Sequence, residues 1–99
     1  MIKLDMSESD IIRAVKNSTT SPLQYLSARF FKRDVRDIDV GRDGIIIWEN
    51  DIDDYISYRY CEEYIQLLDQ FISEWEEFVD GELSDFDLEP ISFCVYQNG

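Results

Sequence analysis

An α+β domain is the fold class this chain predicts: a small antiparallel sheet, built on a central hairpin plus the C-terminal strand, packed against two or three helices. Three observations carry that reading. Between Arg36 and Glu49, Ile38 and Val40 alternate with Asp37 and Asp39, and after Gly41-Arg42-Asp43-Gly44 comes the β-branched run Ile45-Ile46-Ile47-Trp48, a hairpin signature. From Cys61 to Val79 the apolar residues Cys61, Tyr64, Ile65, Leu68, Phe71, Ile72, Trp75, Phe78 and Val79 keep a spacing of three and four, the mark of an amphipathic helix. Beyond Pro90, the residues Ile91, Phe93 and Val95 alternate with Ser92, Cys94 and Tyr96, which suits a final strand.

The remaining elements follow from local chemistry. Ile2, Leu4 and Met6 alternate with Lys3 and Asp5 and predict a short entering strand. Ser7 can accept from the free amides of a first helical turn while Asp10 reciprocates, and Ile11, Ile12 and Val15 then recur at helical spacing up to about Asn17. Ser21-Pro22 restarts a helix, with proline where its missing N–H costs nothing, and Leu23, Leu26, Phe30 and Phe31 form its inner face. Asn50 to Asp54 is a polar break. Tyr55 to Tyr60 satisfies two periods, since its aromatic and β-branched residues favour a strand while Ile56 and Tyr60 extend the helical stripe; the stripe is followed, and the longest helix is expected near residues 53–79. Asp80-Gly81 closes it, glycine suiting a left-handed cap, and Glu82 to Glu89 forms an acidic loop.

At 99 residues the chain fits one domain spanning 1–99, able to bury a core without a metal or disulfide. A hydrophobic fraction of 44% with fourteen aromatics (six Phe, six Tyr, two Trp) is too high for a disordered acidic tail. The charged start, Met1 to Asp10, has no signal-peptide core, and no run of roughly 18 apolar residues could span a bilayer, so a cytoplasmic protein is expected. In that reducing setting Cys61 and Cys94 read as packing residues, and no disulfide is expected.

The net charge of −13 is local. Met1 to Trp48 holds eight basic and seven acidic residues, whereas Glu49 to Gly99 holds one and fifteen. After Arg59 there is no lysine, arginine or histidine, yet eleven carboxylates follow. Glu62, Asp69, Glu76, Glu77 and Asp80 fall opposite the apolar stripe of the long helix, over roughly 27 Å at 1.5 Å per residue. A comparable length of one DNA strand carries about eight phosphates. Glu82, Asp85 and Asp87 extend the field. A solvated helix face is ordinarily charged, but ordinarily with alternating signs, so that neighbours three and four apart attract; here they repel. Among the aromatics, Tyr58 falls off the inner stripe and is expected as an exposed contact beside the acids.

Other chemistries fit poorly. Asp51, Asp53 and Glu62 occupy the first, third and twelfth places of a calcium loop, but Tyr55 and Ile56 replace its central ligand and its glycine. The chain has no histidine, its cysteines are far apart, and it lacks a Gly-rich phosphate loop, so neither metal, cofactor nor catalysis is expected. Arg29, Lys32, Arg33 and Arg36 are interrupted by aspartates and are expected to pair within the domain, while the overall acidity opposes direct binding to nucleic acid or anionic membrane. The expected function is a non-catalytic acidic inhibitor that masks the basic surface of a nuclease or other nucleic-acid-binding protein, most simply an immunity protein neutralising a bacterial nuclease toxin. A phage-encoded DNA mimic blocking a restriction or CRISPR nuclease is one alternative, and an acidic adaptor without inhibitory role is the other.

Overall fold

Strand alternation decides the sheet, and a computed structural model describes it over residues 1–17, 19–49, 54–81 and 89–98. Five strands, β1 (Ile2–Asp5), β2 (Ile38–Val40), β3 (Gly44–Trp48), β4 (Tyr55–Tyr60) and β5 (Ser92–Gln97), pair antiparallel in the order β1-β5-β4-β3-β2. Three helices accompany them in the described residues: α1 (Glu8–Asn17), α2 (Pro22–Phe31) and α3 (Ile65–Val79). The α+β class holds. The hairpin, both terminal strands and the first two helices stand where the sequence puts them.

The long helix does not begin near residue 53. Tyr55–Tyr60 is the central strand, pairing Ile45 with Tyr58 and Ile47 with Ile56 on one side and Tyr60 with Val95 on the other. With period two, Ile56, Tyr58 and Tyr60 point to one face together, which is the face the helices cover. Tertiary pairing on both flanks outweighs a helical stripe that Ile56 and Tyr60 could equally have served. The final strand therefore joins β4 and β1 rather than the hairpin directly. The break at Asn50 to Asp53, including Asp51 and Asp53, and the acidic loop with Glu82, Asp85 and Asp87 lie outside the described residues.

The core forms between that face and the helices. Leu4, Ile38, Ile45, Ile47, Tyr60, Phe93 and Val95 from the sheet meet Ile11, Leu23, Leu26, Leu68 and Phe71. Tyr60 and Phe93 pack edge to face at 5.6 Å, a geometry adding about 1 kcal/mol beyond area burial. A second cluster of Ala14, Tyr25 and Trp75 ties the three helices together. Four residues of the expected apolar faces meet water instead: Ile12 is 61% exposed, Phe30 41%, Ile65 38% and Val79 45%, while Tyr25 is turned inward. The opposite face of the sheet carries Asp39, Ile46, Trp48, Tyr55, Ser57, Arg59, Cys94 and Tyr96, and no described helix covers it.

Local chemistry sets the helix ends. Ser21 Oγ accepts from Gln24 N at 3.2 Å while Gln24 Oε1 accepts from Ser21 N at 3.0 Å, a full capping box with Pro22 in the first turn. Ser7 and Asp10 do the same for α1, Asp10 Oδ2 accepting from Ser7 N at 2.9 Å. Gly81 closes α3 with φ +83° and donates to Phe78 O at 3.1 Å.

Asp10 is buried, 2% exposed, and Arg29 Nη2 donates to it at 2.8 Å. Burial pushes the carboxyl upward, but the Arg29 guanidinium and the Ser7 amide and hydroxyl together outweigh it and hold the group below its ordinary value of 3.8. Its folded-state value is thus depressed, so the stabilisation is present above the unfolded value and is lost as pH falls through the lower folded one. Asp10→Asn is expected to cost about 2 kcal/mol at neutral pH and to flatten the acid limb of the stability curve. Urea midpoints of both proteins from pH 7 down to about 2 check this; parallel curves would contradict it.

Gly44 begins β3 where a Cβ would lie 1.9 Å from the Tyr58 carbonyl oxygen and 3.0 Å from Arg59 Cα. Backbone on backbone leaves nothing to swing aside. Gly44→Ala is expected to lose about 3 kcal/mol or more by chemical denaturation. Gly41→Ala, whose Cβ would meet only Gly44 O at an ordinary 3.8 Å, is the matched control and should lose under about 1 kcal/mol.

Candidate functional site

The acidic surface is built on α3, whose Leu68, Phe71 and Trp75 are buried against the sheet and the other helices. Helical spacing then sends Asp69, Ser73, Glu76 and Asp80 along one outer flank and Gln66, Gln70 and Glu77 along the next. Because the helix starts at Ile65, the acidic row from Asp69 to Asp80 covers about 17 Å rather than 27 Å. Glu62 belongs to a preceding 3-10 turn, Glu62–Tyr64, where it is exposed beside Glu63.

One cation from the first half reaches this row. Arg42 Nη1 contacts the Asp69 carboxylate, the Asp69 carbonyl at 3.2 Å and Ser73 Oγ at 3.1 Å, while Nη2 donates to Glu76 Oε2 at 3.0 Å. The sheet aims it there. Gly41 N donates to Gly44 O at 2.9 Å to close the turn, Tyr60 Oη donates to Gly41 O at 2.9 Å, and Tyr60 N donates to Asp43 O at 3.1 Å. Burial, with Asp43 nearby, pushes the Tyr60 phenol far above its ordinary value, so it remains a neutral donor. The hydrogen bond to Asp69 in turn raises the Arg42 guanidinium.

Arg29, Arg33 and Arg36 spend their charge on acids other than those of α3, pairing within the domain as expected. Arg29 pairs with Asp10, Arg33 with Glu49 in a two-pronged bond of 2.9 and 3.1 Å, and Arg36 with Asp34. Arg13 lies over the Tyr25 ring at 4.6 Å. Between Glu62 and Asp80, then, seven carboxylates are answered among the described residues by one guanidinium, and Glu62, Glu77 and Asp80 have no ion pair there.

The ends of the helices sharpen the contrast. Lys16 sits in the last turn of α1 and Arg29 in that of α2, where a cation suits the negative end of the helix dipole. The last turn of α3 has no base and carries Glu76 and Glu77, with Asp80 as its cap residue. Each such acid costs roughly 0.3–1 kcal/mol at an exposed helix end. The surface is kept at the expense of stability.

Tyr58 does not join it. The residue is 9% exposed, packed on Phe31 with ring centroids 4.9 Å apart, because strand alternation turns it to the covered face where a helical reading put it outside. Apart from Phe30 on α2, the exposed aromatics among the described residues are Tyr55, 52% exposed and 5.2 Å from Trp48, and Tyr96, 43% exposed, both on the uncovered sheet face. Reading 55–60 with period two would have found Tyr55. That face also holds a shallow depression of about 660 Å³ over Gly44, lined by Asp39, Arg42, Ser57, Arg59 and Asn98 among others. Charges of both signs line it, and Ser57 Oγ accepts from Asn98 Nδ2 at 2.9 Å.

Among the described residues no group of three or more His, Cys, Asp or Glu side chains could hold a metal ion, and no helix is long and apolar enough to cross a membrane. Of the acids singled out in the sequence, the structure brings together Asp69, Glu76, Glu77 and Asp80, sets Glu62 apart on the preceding turn, and leaves Glu82, Asp85 and Asp87 outside the described residues. Replacing Glu77 with Gln and Asp80 with Asn is expected to stabilise the fold by about 0.5 kcal/mol each, seen as a higher denaturation midpoint. A lower midpoint would mean these acids are structural. No protein-family model, no curated protein and no solved structure matches the chain.

Proposed function

We propose that this is a non-catalytic, cytoplasmic inhibitor that lays the acidic side of α3 on the basic groove of a nuclease or other nucleic-acid-binding protein, as an immunity protein does for a toxin nuclease. One observation carries the reading: α3 keeps acids on its outer face and at its C-terminal end, where they repel each other and the helix dipole, and among the described residues a single arginine answers them. Carboxylates on such a face can occupy positions meant for phosphates, and opposite fields speed encounter. The Arg42 clamp also supports a specific lock over a general DNA mimic, because it fixes Asp69 and Glu76 in one geometry and leaves Glu77 and Asp80 available. The continuous helical row is shorter than a strand-length imitation of DNA would use.

The competing reading, an adaptor that binds through apolar contact, has its own support in Trp48, Tyr55 and Tyr96 on the uncovered sheet face. Charge and salt separate the two. The partner is captured from the native cell and identified, and its affinity is measured by titration calorimetry between about 50 and about 500 mM salt, spanning weak to strong screening. Affinity is expected to fall by at least tenfold over that range, and the triple variant Glu76→Lys, Glu77→Lys, Asp80→Lys is expected to abolish binding while the circular dichroism spectrum is kept. Salt-independent affinity, with loss of binding on Tyr55→Ala or Tyr96→Ala instead, would establish the adaptor.

A further inference from the structure

The two cysteines, distant in sequence, face each other across the sheet. The β4–β5 register that pairs Tyr58 with Gln97 and Tyr60 with Val95 continues by one step to Cys61 and Cys94, and Cys61 N donates to Cys94 O at 2.9 Å. Directly opposed residues joined by such a bond have Cα atoms about 5.5 Å apart, in the middle of the range a disulfide spans. Their side chains leave the same face of the sheet, the one opposite Tyr60 and Val95. Both are free thiols, Cys61 buried and Cys94 partly exposed. Glu63 first, and then Cys94, raise the Tyr64 phenol above its ordinary value.

We propose that Cys61 and Cys94 are a redox modification site, closing to a reversible cross-strand disulfide by exchange with a low-molecular-weight disulfide. The more accessible Cys94 loses its proton and its thiolate attacks one sulfur of the small disulfide, releasing one equivalent of small thiol and leaving a mixed disulfide. Cys61 then attacks the Cys94 sulfur, forming the Cys61–Cys94 bond and releasing the second small thiol. Two protein thiols are oxidised and one small disulfide is reduced to two thiols. In a reducing compartment the pair stays open, and transfer to an oxidising one closes it. The closed loop runs from the end of β4 to β5 and encloses all of α3, so the bond would staple the acidic helix to the sheet.

The test uses the full chain, reduced and then incubated with oxidised glutathione. Expected are loss of both free thiols, an intact mass lower by two hydrogens, a Cys61–Cys94 peptide in a non-reducing digest, and a melting temperature raised by roughly 10 °C and restored by dithiothreitol. Cys94→Ser, at the more accessible position, should remove the crosslink and the shift together, and Cys61→Ala should do likewise if it folds. Stable glutathione adducts on either cysteine without internal closure, crosslinked dimers, thiols that remain unreacted, or closure without a change in melting temperature would each overturn the proposal.

Discussion

The pleat of Tyr55–Tyr60 is the constraint on which the rest of the molecule depends. As the central strand it has a neighbour on each side, and its alternation sends Tyr58 and Tyr60 into the core while Tyr55, Ser57 and Arg59 face the other way. Tyr60 then does two things at once. Its ring packs on Phe93, and its hydroxyl reaches past the core to the Gly41 carbonyl. That bond fixes the turn bearing Arg42, and Arg42 fixes two acids of α3. A chain of short contacts thus links the centre of the sheet to the charged exterior, with Gly44 making room for the close backbone approach beside it.

Electrostatically the molecule is divided. In the first half, arginines pair with local acids, and α1 and α2 carry charges that suit their dipoles. α3 does the reverse. Individual exposed ion pairs contribute little, so the Arg42 bridge is better understood as a geometric device than as a source of stability: it holds two carboxylates in register while leaving most of the helix charge unanswered. Natural sequences are expected to agree with their fold at every level except where function demands otherwise, and α3 is where this chain disagrees with itself.

How much of this could be read in advance depended on range. The capping pair Ser7–Asp10 and the Ser21 cap with Pro22 after it are local, and both formed as their chemistry requires, Gln24 completing the second box. The hairpin and terminal strands were equally legible, because alternation and turn residues lie side by side. Tyr55–Tyr60 was not, since Ile56 and Tyr60 fit a helical and a strand period alike and only pairing with β3 and β5 breaks the tie. That ambiguity carried through to Tyr58, placed outside when it is inside, and to the reach of the acidic row. The acids of α3 were visible as a group, but the partner of two of them, Arg42, comes from a turn far earlier in the chain, and no local pattern announces it.

The two borders of the sheet are short: β1 offers four residues and β2 three. On the uncovered side β1 presents Lys3 and Asp5, and β2 presents Asp39, which accepts from Trp48 Nε1 at 2.7 Å. Unpaired strand margins are templates for uncontrolled stacking between molecules, and brevity and charge are how natural sheets blunt them. Such guards matter more where Tyr55 and Tyr96 are open to water, because an aromatic sheet face beside a long bare margin is the geometry from which fibres grow.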